Sequence, residues 1–291
     1  MKNLNWDDLR IFVRVARGGG LSAAAAELGS SPATIGRRML ALEKVVARPL
    51  FVRRQTGYEL TDDGRLLLAK ALAMEAGARP IEDWLSANGN RPVVRISAGT
   101  WIANFLSENF GRIWSPDDQF RIAFKTAEAR LDIAHREVEI GVRNQPPDGA
   151  NLAARPITDA AYAPFRARNH TPQSAENWVA IAPGDASTAS TRWTTAQAGF
   201  AIAAWANAPR TLYDLIRSGT GKGVVPCFAG DRDPLLERAG EEIAELRHRQ
   251  WIVMHNDDRH RPEVRTVIER MAALINAHAP LFSGERPMGN G

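Results

Sequence analysis

LSAAAAELGSSPATIGRRMLALE, residues 21–43, is the stretch whose reading decides the fold. An alanine-packed segment ends at Gly29, and a second segment opens on Ser31-Pro32 and carries Arg37-Arg38. Ser22 is placed to cap a short helix through Leu28, and the run from Ala23 to Ala26 leaves room for another helix to approach closely. Gly29 gives the backbone freedom a tight turn needs. Ser31 then caps a second helix with Pro32 at its first position, where a missing N–H costs nothing. Ile35, Met39, Leu42 and Val46 recur at helical spacing as a core face, while Ala33, Thr34, Arg37 and Lys44 form a small, polar, basic face with Arg38 at its flank. Two short helices joined by so tight a turn, the second led by small polar residues and arginine, predict a helix-turn-helix whose second helix enters a DNA major groove N-terminus first.

The flanks extend this reading. Trp6, Leu9, Phe12, Val13 and Ala16 predict an amphipathic helix over 6–17 that Gly18-Gly19-Gly20 ends. In LFVRRQTGYELT, residues 50–61, Val52 to Arg54 and Tyr58 to Leu60 flank Gln55-Thr56-Gly57, a hairpin signal that puts Arg53 and Arg54 on a wing. Residues 1–60 carry a net charge of +5 against +4 for the whole chain, so a basic module precedes a nearly neutral body. On charge alone a solvated surface would serve as well. From Thr61, a candidate cap, TDDGRLLLAKALAMEAGARPIEDWL reads as a long helix with Asp62 and Asp63 at its positive end and a stripe of Leu67, Ala71, Met74 and Ala78. Pro80 is expected to kink or end that helix near Arg79. Residues 86–90 read as a hinge.

These spaced residues resemble the LysR-type transcriptional regulators: Phe12, Val15-Ala16, Ser22, Ala24-Ala25, Leu28, Ser31, Ile35, Met39, Leu42-Glu43, Leu50-Phe51, Arg53, Leu60-Thr61 and Gly64 match the family's N-terminal pattern. Pro32-Ala33 stands where the family usually has Gln-Pro, and Gly36 where it usually has Ser. The resemblance therefore implies a DNA-binding surface of Ser31, Pro32, Ala33, Thr34, Gly36, Arg37 and Arg38, with contact resting more on Thr34, Arg37 and Arg38, and with Arg53 and Arg54 on phosphates. It also implies that the long helix pairs two subunits, as reading an inverted-repeat operator on double-stranded DNA by twofold-related helices requires. A homodimer or homotetramer follows, with RNA polymerase a candidate partner.

Beyond residue 91, strands are expected over 93–97, 121–126, 138–142, 179–181, 200–204, 223–226 and 251–255. Helices are expected around 102–113, 128–136, 209–218 and 262–277, an α/β alternation that argues for mainly parallel sheets. The segments VRISAGTW, REVEIGVRN, RPITDAAYAPF and GTGKGVVPCFAGDRDPLL resemble the family's two-lobed effector domain, akin to periplasmic type 2 binding proteins. The resemblance divides the chain into a winged helix-turn-helix at 1–60, a linker helix and hinge at 61–90, and an effector domain at 91–291. Lobe one would take 91–161 and 266–285, and lobe two 162–265. Ligands of open α/β sheets bind beyond the carboxyl ends of strands, which points to Gly99, Thr100, Trp101, Arg143, Asn144, Asn207, Ala208, Pro226 and Cys227. Thr100 could cap a helix toward an anion, Arg143 could meet a carboxylate and Trp101 could stack on an apolar group. The plainer alternatives are lobe packing for Trp101 and a surface salt bridge for Arg143. A small organic acid or aromatic effector is expected.

Other classes are disfavoured. No apolar run reaches membrane-spanning length, and MKNLNWDDLRIF lacks the charged and apolar regions of an export signal, so a cytoplasmic protein is expected. The single cysteine, Cys227, reads as a small buried thiol. Gly221-Lys222 lacks the following Ser or Thr of a phosphate loop, and the six histidines show no metal spacing. No catalytic constellation, metal site or cofactor is expected. A small-molecule carrier or enzyme on the two-lobed fold, with the first ninety residues only an oligomerising module, is the alternative; salt-dependent DNA binding separates the two.

Overall fold

The computed structural model describes residues 4–54, 57–86, 91–126, 138–147, 151–172, 174, 176–197 and 201–285, without side chains at 53, 54, 57, 76 and 79–86. The helix expected around 128–136, the hinge residues 87–90 and residue 200 of an expected strand lie outside the described residues. The chain divides into two units, Met1–Asn90 and Arg91–Gly291.

In the first unit Asn5 caps α1 (Trp6–Gly18) by accepting the Asp7 N–H at 2.9 Å. The next helix, α2 (Leu21–Leu28), starts before the expected cap: Gly20 is the N-cap, without a side-chain bond, and Ser22 falls inside the first turn. Ser31 caps α3 (Pro32–Val46) as expected, accepting the Thr34 N–H at 3.2 Å. That helix ends at Ala47 in the left-handed region, φ 56°. Ile35, Met39 and Leu42 bury against Leu9, Phe12, Val15, Ala24 and Ala25, so the apolar stripe read from the sequence is the core face.

Glu43 Oε1 accepts the N–H groups of Leu50 (2.7 Å) and Phe51 (3.3 Å), fixing where β1 (Phe51–Arg54) departs to pair antiparallel with β2 (Gly57–Leu60). The Tyr58 N–H donates to Gly19 O, and Phe51 stands between Phe12 and Tyr58, so the hairpin is tied to α1. Thr61 Oγ1 donates to Pro49 O at 2.8 Å and accepts the Gly64 N–H at 2.9 Å, capping α4 (Asp62–Ser86). A β-carbon at Gly64 would lie 2.1 Å from Leu50 O, so only glycine lets α4 approach the start of the hairpin. Of the two outcomes expected at Pro80, the helix does not end there: α4 runs through Pro80 to Ser86. Proline costs a helix one donor and a carbonyl clash, and the strong helix formers of this 25-residue helix outweigh that local loss.

The second unit has two lobes. Its elements are β3 (Val93–Ala98), α5 (Thr100–Glu108), β4 (Arg121–Thr126), β5 (Ile140–Arg143), β6 (Leu152–Ala160), β7 (Tyr162–Ala167), β8 (Trp178–Ile181), α6 (Ala189–Ala196), β9 (Ile202–Ala206), α7 (Pro209–Arg217), β10 (Gly223–Pro226), α8 (Cys227–Gly230), β11 (Leu236–Arg238), β12 (His248–His255), α9 (Pro262–Ala277) and α10 (Ala279–Phe282). Lobe one is a five-stranded sheet in the order β4-β3-β5-β12-β6, with Ile96, Phe105, Leu106, Ile140, Ile252 and Met271 in its core. Lobe two holds β10-β7-β11 and β8-β9, around Phe165, Val179, Ile181, Ile216 and Val225.

The sheets are mixed rather than mainly parallel. β3 pairs parallel with β4 and β5, but β12 runs antiparallel between β5 and β6, and β7 is antiparallel to both its neighbours. The chain leaves lobe one along β6 and β7 and returns along β12, and a returning strand must run against its neighbours. Residues 248–255 consequently belong to lobe one, not lobe two as expected. Ile252 and Val253 are almost fully buried, as a strand with neighbours on both sides requires.

Candidate functional site

Two surfaces are candidates, one in each unit. On α3, Ser31, Pro32, Ala33 and Arg37 are exposed, and Thr34 is half-buried. Ser31 Oγ and Thr34 Oγ1 lie 2.9 Å apart, so both hydroxyls are positioned by the cap at the helix's leading end. The Arg37 guanidinium meets no hydrogen-bond or ion-pair partner among the described residues. Leu40, 45 % exposed and not singled out from sequence, extends the same face one turn further.

Two expected contacts are placed differently. Arg38 Nε donates to Asp8 Oδ1 at 2.5 Å, which ties α3 to the start of α1 and engages its charge within the protein. A β-carbon at Gly36 would lie 3.1 Å from Leu21 Cδ1, so Gly36 marks where α3 passes α2 rather than an open surface. The Arg53 and Arg54 backbone is in β1, paired with Tyr58 and Gly57; their side chains lie outside the described residues.

In the second unit a cleft separates the lobes. Its inner cavity, about 70 Å³, is bordered by Gly99, Trp101 and Ile102 of lobe one, by Thr188, Ser190 and Thr191 of lobe two, and by His248 and Gln250 of β12. It opens into a vestibule of about 630 Å³ bordered by Arg143, Asn144, Arg192, Glu245 and Arg247. Of the residues expected here, Gly99, Trp101, Arg143 and Asn144 border the cleft.

Thr100 does not line it: Gly99 is the N-cap of α5, with no side-chain bond, and Thr100 is the first helical residue. Pro226 and Cys227 are buried where β10 meets α8, behind the cleft wall, and burial pushes the Cys227 thiol up to about 11. Asn207 is exposed just before α7, whose Pro209 borders the cavity instead. Trp101 also packs edge-on against Tyr213 of lobe two at 5.5 Å, so it joins the lobes as well as lining the cavity.

Arg143 does not extend freely. Its Nη1 donates to Ser97 O (3.1 Å) and Val142 O (2.9 Å), and its Nη2 to Ser97 Oγ (3.2 Å). Arg247 is held by Glu242 and Arg192 by Ser187 O. The vestibule border thus carries three arginines, one of them paired with Glu242, and one carboxylate, Glu245, so cations outnumber carboxylates there.

The α6 turn, with Thr188 as its cap, and the β12 pair His248 and Gln250 were not anticipated. Their residues are far apart in sequence, and no local pattern marks them. Burial lowers the His248 pKa from the ordinary histidine value, because it disfavours the charged ring. Among the described residues no group of His, Cys, Asp and Glu could hold a metal, and no helix is long and apolar enough to cross a membrane.

Residues 6–65 match the family described as bacterial regulatory helix-turn-helix protein, lysR family, and residues 87–275 match the LysR substrate binding domain. The HTH-type transcriptional regulator BbuR of Bordetella bronchiseptica is 30 % identical over 161 residues, 53 % of this chain and 49 % of that protein. The Mau operon transcriptional activator of Paracoccus denitrificans is 26 % identical over 162 residues, 55 % of this chain and 57 % of that one. The chain thus spans about half the length of these curated relatives. The fold is similar to CbnR, a LysR family transcriptional regulator, with a TM-score of 0.57 at 17 % identity over 93 % of this chain and 99 % of that one. It is also similar to Vibrio fischeri DarR in complex with DNA, with a TM-score of 0.51 at 19 % identity over 94 % of this chain and 99 % of that one.

Proposed function

The chain belongs to the LysR family of bacterial transcriptional regulators, a non-enzymatic family, and from that premise we propose that it reads an operator with α3 and reports a small anion held between its lobes. The carrying observation is the face of α3: a capped N-terminus, small residues through its first turn, and Arg37 exposed without a partner among the described residues. A helix of this kind fits N-terminus first into the major groove, where arginine can pair with a guanine edge or a phosphate. The hairpin beside it would track the backbone, with Arg53 and Arg54 on phosphates. Each recognition helix spans only a few base pairs, so an inverted repeat read by a homodimer, or by two dimers in a tetramer, is the expected target. RNA polymerase is the partner through which operator occupancy would act, and the cytoplasm the compartment.

The cleft is the effector site in this proposal. An effector that bound both lobes would favour one lobe arrangement over another, and only such differential binding can change how the subunits sit on DNA. The positive rim supports an organic acid. The test is fluorescence anisotropy with the upstream DNA of its own gene across a salt series. Affinity must fall steeply with salt, because each neutralised phosphate releases counterions. A flat salt dependence would exclude DNA as the partner.

A further inference from the structure

Over its first three turns the outward face of α3 is mostly apolar around Arg37. Ala33, Arg37 and Leu40 stand at i, i+4 and i+7, so they share one side of the helix, and all three are exposed, Leu40 at 45 %. A lone exposed leucine would need no explanation. This one continues the face that Pro32 and Ala33 begin, and the polar groups beside it are engaged within the protein. Arg38 is held by Asp8, and Gly36 passes Leu21. The Ser31 and Thr34 hydroxyls, 2.9 Å apart, spend one of their two hydrogens on each other, and Ser31 Oγ also accepts the Thr34 N–H.

In a major groove such a face meets base edges, and thymine alone carries an apolar group there, its C5 methyl. The other bases offer mainly donors and acceptors, which an apolar side chain desolvates without pairing. At about 1.5 Å per residue, Ala33 and Leu40 lie about 10 Å apart along the axis, the span of about three base-pair steps, with Arg37 between them. A duplex suits this strip better than another protein chain does. Residues 1–60 carry a net charge of +5, Arg37 sits within the strip and exposed Lys44 follows one turn beyond Leu40. An apolar protein partner would bury those cations unpaired, whereas phosphates flank every base edge.

We propose that Ala33 and Leu40 are specificity-determining residues that pack against thymine methyl groups in each half-site, on either side of the base pair that Arg37 reads. This rests on the reading of α3 as the recognition helix. Pro32 and Gly36 stand where the family usually has glutamine and serine, so methyl contact takes the place of polar readout on this helix. The guanidinium fixes the register, and the two apolar side chains select the bases around it.

The test is fluorescence anisotropy of the full chain on the upstream DNA of its own gene, synthesised with thymine or with uracil throughout, since uracil lacks the C5 methyl and pairs as thymine does. Each methyl removed should weaken binding about fourfold, so a dimer that loses all four should bind about two-hundredfold more weakly. Unrelated DNA, held through its phosphates, should bind alike in both forms. Single uracils then locate the two thymines of a half-site: Leu40→Ala should be insensitive to uracil at one of them and Ala33→Gly at the other. Equal affinity for thymine and uracil DNA overturns methyl readout while leaving α3 as a reading helix through Arg37. Full uracil sensitivity retained in either variant overturns the assignment of that residue, as does a Leu40→Ala protein that loses self-association in sedimentation instead. Absence of salt-dependent binding to either DNA overturns the reading of α3 itself. The uracil series on the unaltered chain decides methyl readout even if a variant does not fold.

Discussion

Replacing Arg37 with alanine separates recognition from stability more cleanly than any other change on α3. The guanidinium is exposed and without a partner among the described residues, and alanine is the better helix former, so folding stability should move by no more than about 0.5 kcal/mol. Losing a bidentate pair with a guanine costs about 1–3 kcal/mol per subunit, and a dimer loses two, so operator affinity should fall by roughly thirtyfold to more than ten-thousandfold. If the contact is instead to phosphate, the salt slope should drop by about 0.9 for each contact, or about 1.8 for a dimer, with operator and unrelated DNA affected alike. Anisotropy titrations on both DNAs across a salt series distinguish the two. Arg38→Ala is the contrasting case: it strips Asp8 of its partner, and should lower the melting temperature as well as any DNA affinity it changes. Unchanged affinity and unchanged salt slope in a folded Arg37→Ala protein would refute the assignment of α3 as the reading element.

Gly64→Ala should destabilise the N-terminal unit by about 3 kcal/mol, because the added carbon would lie 2.1 Å from the Leu50 carbonyl oxygen, a backbone atom that cannot rotate away; a melting curve within a degree of the parent would contradict this. Ala47→Gly should raise stability by up to about 1 kcal/mol, since Ala47 ends α3 at φ 56° where a β-carbon is strained, and denaturant titration can detect the gain. Burial lowers the His248 pKa from the ordinary histidine value, so the unfolded chain binds more protons than the folded one as pH falls through the histidine range. Its contribution to stability is full above the ordinary histidine pKa and is lost as pH falls from there toward the lowered folded value, so the slope should be shallower in His248→Asn when melting is followed across the histidine range.

The N-terminal module was legible in the sequence because what forms it is local. Ser31 reaches Thr34, Gly29 turns the chain between adjacent helices, and the stripe of Ile35, Met39 and Leu42 repeats at the helical period, so each instruction lies within a few residues of its effect. Even there, local reasoning mistook a helix residue, Ser22, for a cap, and left open whether Pro80 would kink or end a helix that continues to Ser86. What Arg38 and Gly36 do depended on Asp8 and Leu21, partners on other helices that no spacing rule names. In the body, Pro156 and Pro164 hid β6 and β7, and only pairing with β12 and β10 makes those segments strands.

The cleft is the extreme case. Gly99 and Trp101, Thr188 to Thr191, and His248 with Gln250 come from three separated parts of the chain, and they meet only because β12 returns to the first lobe. The sequence determined that such a cleft should exist and which strand ends could border it. Only the tertiary structure decided which polar atoms it encloses, because burial and hydrogen-bond partnership are properties of the folded neighbourhood and not of the residue.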